Sequence, residues 1–161
     1  MNVYLDTSVI VSMFTTDAHT SRATTFLARA NDRLALSDWT ATEFSFALAL
    51  GTRVGRLTSL ERGAAEAAFQ SWQEREPFAS ALDPNDIRVA RNLIKTTARP
   101  LRAGDALHIA IAQRLGCSLG TFDVGMRDAA VDLGLQIEDF SRMLNIRSPF
   151  LNRLERPMRL S

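Results

Sequence analysis

Short apolar strand patterns alternate with longer helical patterns along most of this 161-residue chain. The strands are predicted at residues 3–5, 34–36, 78–82, 119–122 and 135–137. Parallel strands are joined by crossover helices, and those helices cover both faces of the sheet. The alternation therefore predicts an α/β fold, a three-layer α/β/α sandwich with a mostly parallel central sheet.

The helices between these strands have recognisable boundaries. They are predicted at residues 7–14, 20–30, 39–53, 59–75, 84–97, 104–115 and 126–133. Thr58 and Glu61 have the spacing of a capping box, in which a hydroxyl and a carboxylate satisfy free backbone N–H groups. Asp83 is a good N-cap because it precedes Pro84, whose missing N–H costs nothing in a first turn.

No internal repeat, low-complexity stretch or linker divides the chain. We expect one domain over residues 1–140, followed by a basic C-terminal extension over residues 141–161. Residues 142–161 carry five arginines against one acid and show no clear helix or strand pattern. We therefore expect the extension to pack loosely.

The sequence lacks the signals of membrane and secreted proteins. No apolar run reaches the roughly 20 residues that span a bilayer, and the first residues do not have the pattern of a secretory signal. The single cysteine, Cys117, cannot form an internal disulfide and is expected to be a small buried residue. These features predict a cytoplasmic protein.

Four acidic residues stand at positions where α/β proteins bind ligands. Asp6 follows the first predicted strand and Asp123 follows the strand at 119–122. Glu43 and Asp105 are predicted to lie in the first turns of their helices. Because ligands of open α/β sheets bind beyond the carboxyl ends of the strands, we expect all four carboxylates to face one crevice.

Each carboxylate also has a structural explanation. Asp6 and Asp123 can cap the helices after them, Glu43 can complete a capping box that starts at Thr40, and Asp105 can complement a helix dipole. The set is harder to explain in this way. Glu43 and Asp105 interrupt apolar runs, and no lysine or arginine lies immediately beside any of the four. Such charges are rarely buried unless they are paired or bind a metal.

Clustered carboxylates repel one another at neutral pH, so that they bind protons or a cation. Oxygen ligands of high charge favour Mg²⁺, or Mn²⁺, over zinc. Such an ion polarises a phosphodiester and lowers the pKa of a bound water. Apart from the four acids, 14 of the 18 acidic residues remain against 19 basic ones, a balance that suits a polyanionic substrate. The residues therefore predict a magnesium-dependent nuclease.

Four sequence motifs resemble, in order, those of PIN-domain ribonucleases. They are VYLDTSVI at residues 3–10, ATEF at 41–44, GDALHIA at 104–110 and GTFD at 120–123. The compact size is similar to that of the VapC-type toxins of bacterial and archaeal toxin–antitoxin modules. The resemblance implies a PIN-like fold, Mg²⁺-dependent endonucleolytic cleavage of a structured RNA by metal-activated water, a homodimer, and inhibition by a small antitoxin protein.

The resemblance also implies roles for single residues. It assigns the family's acidic metal site to Asp6, Glu43, Asp105 and Asp123. It assigns the hydroxyls that orient carboxylates or water to Thr7, Ser8 and Thr121. The chain departs from the family pattern after Asp123, where Val124 stands in place of a polar residue. We therefore expect this corner of the site to be sparsely ligated.

Several weaker signals remain. Five basic residues recur at helical spacing toward Asp105, and either form a solvated helix face or contact the RNA backbone: Arg88, Arg91, Lys95, Arg99 and Arg102. His108 is expected to be a partly buried structural histidine, and His19 receives no role. Trp39, Phe44 and Phe46 are expected in the core or at a dimer or antitoxin interface.

Two other functions fit parts of the pattern. A catalytically silent PIN-fold module would bind RNA or protein, but the complete set of four acids argues against it. A phosphatase or phosphoacceptor domain would use Asp6 as the nucleophile, but the second aspartate two residues on, which one common phosphatase motif requires, is missing. We therefore expect an RNA endonuclease of toxin type.

Overall fold

A computed structural model of the chain describes residues 2–29, 34–75 and 79–140. In order along the chain, its elements are β1 (Val3–Leu5), α1 (Thr7–Phe14), α2 (Thr20–Leu27), β2 (Leu34–Ser37), α3 (Asp38–Arg53), α4 (Ser59–Gln73), β3 (Ala79–Ser80), α5 (Pro84–Thr96), α6 (Ala103–Leu115), β4 (Ser118–Gly120) and α7 (Val124–Asp132). The predicted alternation of strands and helices is confirmed.

The strands form one parallel sheet in the order β3-β2-β1-β4. β1 lies inside the sheet, with Val3 paired to Leu34 on one side and to Ser118 on the other. All three β1 side chains are 0% exposed. Central parallel strands are buried on both faces, which explains the continuous apolar character of this segment.

The two faces of the sheet carry separate hydrophobic clusters. Tyr4 packs into one cluster with apolar side chains of α5, α6 and α7. Val3 and Leu5 pack into the other, with side chains of α1, α3 and α4. Successive side chains of a strand point to opposite faces, so the three residues of β1 contribute to both clusters. The expected three-layer α/β/α arrangement is confirmed.

Two of the predicted helix caps are present in the structure. The Thr58 hydroxyl accepts the Glu61 N–H, and the Glu61 carboxylate accepts the Thr58 N–H at 2.7 Å. Asp83 caps α5 by accepting the N–H of Asn85, also at 2.7 Å. Both predicted caps are therefore confirmed.

The predicted strand at 119–122 is too long. β4 ends at Gly120, because the backbone beyond it bonds to side chains and not to another strand. The N–H of Phe122 donates to Ser8 Oγ, and the N–H of Asp123 donates to Thr121 Oγ1. The helix after it begins earlier than expected, at Val124.

Two other predicted strands are shorter than expected. The one at 135–137 is reduced to a single bridge between Leu119 and Ile137. The one at 78–82 is reduced to Ala79–Ser80, and its first position lies outside the described residues. The basic extension at 141–161 also lies outside them, so the domain boundary stays a prediction. No helix in the described ranges is long and apolar enough to cross a membrane.

Candidate active site

The four carboxylates come from the N-terminal parts of four different helices, α1, α3, α6 and α7. Asp6 directly follows β1 and caps α1, and Asp123 caps α7. The capping roles of these two residues are therefore real. Asp105 lies in the first turn of α6, as expected. Glu43 does not lie in a first turn, because Ser37 caps α3 and places Glu43 in the second turn. The alternative of a capping box starting at Thr40 is therefore wrong.

Asp6 is a buried carboxylate with neutral partners. It is 1% exposed. Its Oδ1 accepts the Ser8 hydroxyl at 2.7 Å and the Val9 N–H at 3.2 Å, and its Oδ2 accepts the Thr121 hydroxyl at 2.8 Å. Burial raises the pKa of Asp6, while the charge of His108 and these hydrogen bonds oppose that rise. In the described part of the chain, no lysine or arginine forms an ion pair with Asp6.

Glu43 is held by side chains from two other helices. Its Oε2 accepts the Thr7 hydroxyl at 2.7 Å and contacts His108 Nε2 at 2.7 Å. Its Oε1 lies so close to α6 that a Cβ added to Gly104 would stand 2.7 Å from it. Burial raises the pKa of Glu43, but the hydrogen bonds from His108 and Thr7 outweigh burial and leave the pKa below its usual value.

Asp105 and Asp123 line a groove of about 710 Å³ together with Arg99 and Arg102. The Asp105 carboxylate makes no hydrogen bond or ion pair with another described side chain. Burial and the charge of Asp123 raise the pKa of Asp105, whereas the charges of Arg102 and His108 act in the opposite direction. Two carboxylates that repel each other in one groove favour the binding of a cation there.

A second groove, of about 410 Å³, lies on another side of Asp123 and is lined by Thr7, Ser8 and His19 among others. The His19 ring stacks on Phe122 with the ring centroids 4.5 Å apart, and the Arg22 guanidinium lies 5.1 Å from the Phe122 ring centre. Asp123 lines both grooves. No role was predicted for His19, and no pattern in the neighbouring sequence indicates that its ring lies in this groove.

The four carboxylates share one region but do not form a closed metal site. Asp105 and Asp123 line one groove, and Thr121 bonds to both Asp6 and Asp123. The charges of Asp123 and Glu43 both act to raise the pKa of Asp105. Across the described ranges, no three histidine, cysteine, aspartate or glutamate side chains are arranged as a metal-binding group.

Of the five basic residues predicted at helical spacing, only the last two, Arg99 and Arg102, line the larger groove. Arg88, Arg91 and Lys95 are exposed on α5, and Arg88 donates to Asn85. Arg99 forms an exposed ion pair with Asp132, and it lines the larger groove with Arg102.

Two aromatic residues and one histidine differ in their surroundings. Phe44 is buried in the core, which was one of its two expected positions, whereas the Phe46 side chain is 59% exposed. His108 is fully buried at 1% exposure, more than expected, and it bonds to Tyr4 as well as to Glu43. Tyr4 was not among the residues predicted for the site. Its hydroxyl within an apolar strand was the available signal, because a buried tyrosine hydroxyl needs a partner.

Comparison with known proteins places this arrangement in a family. A family model described as the PIN domain matches residues 3–132, which is most of the chain. The chain belongs to the PIN-domain family. The expected resemblance is therefore confirmed. No curated protein gives a significant match to this PIN domain.

Several solved structures are similar to this PIN domain. VapC20 from Mycobacterium tuberculosis, described as a sarcin–ricin-loop-cleaving toxin, has 18% identity and a TM-score of 0.64 over 80% of this chain and 95% of its own. FitAcB from Neisseria gonorrhoeae has 18% identity and a TM-score of 0.64 over 86% and 97%. VapBC2 from Rickettsia felis, bound to a promoter DNA fragment, has 12% identity and a TM-score of 0.64 over 86% and 98%. These similarities confirm the PIN fold.

Proposed function

We propose that this PIN domain is a metal-dependent endoribonuclease and the toxin of a toxin–antitoxin module. Its substrate is a structured RNA, and a metal-activated water hydrolyses the phosphodiester. The observation that carries the proposal is that four carboxylates from four elements lie in one region. Burial raises the pKa of Asp6, and burial together with the charge of Asp123 raises the pKa of Asp105.

The chemistry of these side chains fits a hard divalent cation. All four offer only carboxylate oxygens, which Mg²⁺ and Mn²⁺ prefer. The residues that would hold the ion are Asp6, Glu43, Asp105 and Asp123. When bound, the ion lowers the pKa of a water molecule and stabilises the leaving oxygen. Asp6 itself is a poor nucleophile, because it is buried and both of its oxygens accept hydrogen bonds.

Three hydroxyl side chains orient the carboxylates. Ser8 and Thr121 each donate to one oxygen of Asp6, and Thr7 donates to Glu43. Thr121 also accepts the N–H of Asp123, so one hydroxyl links two of the acids. Hydrogen bonds of this kind fix the direction of ligand lone pairs before an ion binds.

The RNA backbone lies across the two grooves that meet at Asp123. Arg99 and Arg102 border the larger groove beside Asp105, where they attract phosphates. The basic side chains farther along α5 extend this positive surface: Arg88, Arg91 and Lys95. Attraction to phosphates explains binding without sequence preference, so the choice of RNA rests on its shape and its unpaired bases.

The proposed partners are a small antitoxin protein and a second copy of the chain. The support for an antitoxin comes from the similar structures, which include VapBC-1 from nontypeable Haemophilus influenzae and FitAB bound to a DNA fragment. Exposed apolar side chains such as Phe46 and Leu60 provide surface that such partners can cover.

RNA cleavage tests the proposal. The purified protein should cleave structured RNA in Mg²⁺, and excess EDTA should stop the reaction. Asp6→Asn and Asp105→Asn should abolish cleavage while circular dichroism shows an intact fold. If the protein binds RNA without cleaving it, and Asp105→Asn changes nothing, the chain is a catalytically silent binding module.

A further inference from the structure

A buried chain of hydrogen bonds connects the central strand to Glu43. The Tyr4 hydroxyl lies 2.9 Å from His108 Nδ1, and His108 Nε2 lies 2.7 Å from Glu43 Oε2. Tyr4 and His108 are 0% and 1% exposed. These hydrogen bonds connect three elements, since Tyr4 belongs to β1, His108 to α6 and Glu43 to α3.

The partners determine which nitrogen of His108 carries the proton. A carboxylate oxygen accepts hydrogen bonds, so the 2.7 Å contact is one in which His108 Nε2 donates to Glu43 Oε2. In a neutral imidazole, Nδ1 then accepts the hydroxyl proton of Tyr4. The Tyr4 oxygen has a matching donor, because Ser37 Oγ lies 2.7 Å away. The Tyr4 hydroxyl and both ring nitrogens of His108 therefore have hydrogen-bond partners in a buried region.

The elements that carry Tyr4 and His108 also lead to other acids of the site. Tyr4, on β1, stands two residues before Asp6, which directly follows that strand. His108 stands one helical turn after Asp105 on α6. Gly104, also on α6, leaves the space that Glu43 Oε1 occupies. The position of the Glu43 carboxylate is therefore set by α6 and by Thr7 of α1, and not by its own helix alone.

We propose that His108 is a positioning residue, which holds the Glu43 carboxylate beside Asp105 through its Nε2–H, and that Tyr4 fixes the required imidazole tautomer. The inference rests on the proposed metal-dependent function of the four acids. It differs from the expectation of a merely structural histidine, because the imidazole acts on one carboxylate of the site.

Two amide variants separate these roles. In His108→Gln the side-chain amide nitrogen reaches about as far as Nε2, so it can still donate to Glu43. In His108→Asn the amide nitrogen reaches only as far as Nδ1, so Glu43 loses this donor. Both variants replace a buried imidazole by a smaller amide, and both are expected to lower thermal stability.

The measurements are the calorimetric affinity for Mn²⁺, and kcat and KM for RNA cleavage in Mg²⁺. Loss of a group that orients a metal ligand typically costs about 10- to 100-fold, so we expect that loss in Mn²⁺ affinity and kcat for His108→Asn. We expect KM for RNA to change little. His108→Gln should recover most of both quantities. Asp86→Asn, which breaks a buried ion pair with Arg114 at the far end of α6, is the control for lost stability alone.

The outcomes distinguish this inference from the proposed function. If the wild type cleaves no RNA, the proposed function is wrong, and the Mn²⁺ affinities of the Gln and Asn variants still decide the inference. Equal Mn²⁺ affinities for the two variants overturn it, as does a wild type that binds no Mn²⁺. If His108→Asn does not fold, Tyr4→Phe takes its place, and unchanged Mn²⁺ affinity in that variant overturns the inference.

Discussion

The Thr121 hydroxyl donates a hydrogen bond to Asp6 Oδ2 at 2.8 Å, although 115 positions separate the two residues. Thr121 follows β4 and Asp6 follows β1, and the two strands are neighbours in the sheet. The contact therefore joins two carboxyl ends of parallel strands, where ligands of α/β proteins bind.

Thr121→Val should damage both stability and cleavage. The variant leaves Asp6 Oδ2 and the Asp123 N–H without their partner, which should cost about 1–3 kcal/mol of unfolding free energy in urea denaturation. Cleavage in Mg²⁺ should fall by about 10-fold or more, as is usual when a group that orients a metal ligand is lost. Thr121→Ser keeps the hydroxyl and is the control. Equal activities for the two variants would contradict the role of this hydroxyl.

Asp6 should make stability depend on pH in EDTA. Because burial raises its pKa in the folded state, the folded protein holds this proton more tightly than the unfolded chain does. The contribution of Asp6 to stability is therefore greatest below about pH 4, the unfolded pKa, and is lost as pH rises through the folded pKa. We expect the unfolding free energy of the wild type to fall relative to that of Asp6→Asn over this range. A constant difference between the two proteins would count against the raised pKa.

Gly104→Ala should disturb the site without unfolding the protein. The new Cβ would lie 2.7 Å from Glu43 Oε1, so Glu43 must move and cleavage should fall. Alanine also favours a helix by about 1 kcal/mol over glycine, which offsets part of any lost stability. Gly63→Ala is a matched control, because Gly63 lies in α4 with nothing within 4 Å of the added Cβ. It should keep full activity. If both variants cleave RNA equally well, Glu43 does not need its observed position.

Arg102→Ala should weaken RNA binding through lost phosphate contact. Arg102 is exposed at the start of α6 and lines the groove beside Asp105. Removing one phosphate contact should raise KM and reduce the slope of log affinity against log salt by about 0.7–1. Arg62→Ala is the control, because Arg62 pairs with Glu66 on α4 and lines neither of the grooves described. Identical salt slopes for the two variants would remove Arg102 from the RNA surface.

Local signals predicted much of the fold. The caps at Thr58 and Asp83 depend only on residues within one helical turn, so their geometry follows from spacing. The start of α3 was misplaced because Ser37 ends β2 and caps the helix at once, without a loop between them. The end of β4 was misplaced because Ser8, far away in the sequence, takes the Phe122 N–H that a longer strand would have used.

The sequence predicts a set of candidate site residues, which stays a prediction, but it does not predict their contacts. The four acids were identified from their places after strands and within helices. The contact between His108 and Glu43 spans 65 positions and depends on how α6 packs beside α3, which no local pattern contains. The same is true of the stacking of His19 on Phe122.

We propose that these carboxylates support the hydrolysis of RNA by water. The most direct test is to cleave RNA with Mg²⁺ in ¹⁸O-labelled water and to analyse the new ends by mass spectrometry. Hydrolysis by water predicts one ¹⁸O atom in the terminal phosphate, no 2′,3′-cyclic phosphate, and no product with Asp105→Asn or in EDTA. Cyclic phosphate ends, or equal cleavage in EDTA, would contradict metal-dependent hydrolysis by water.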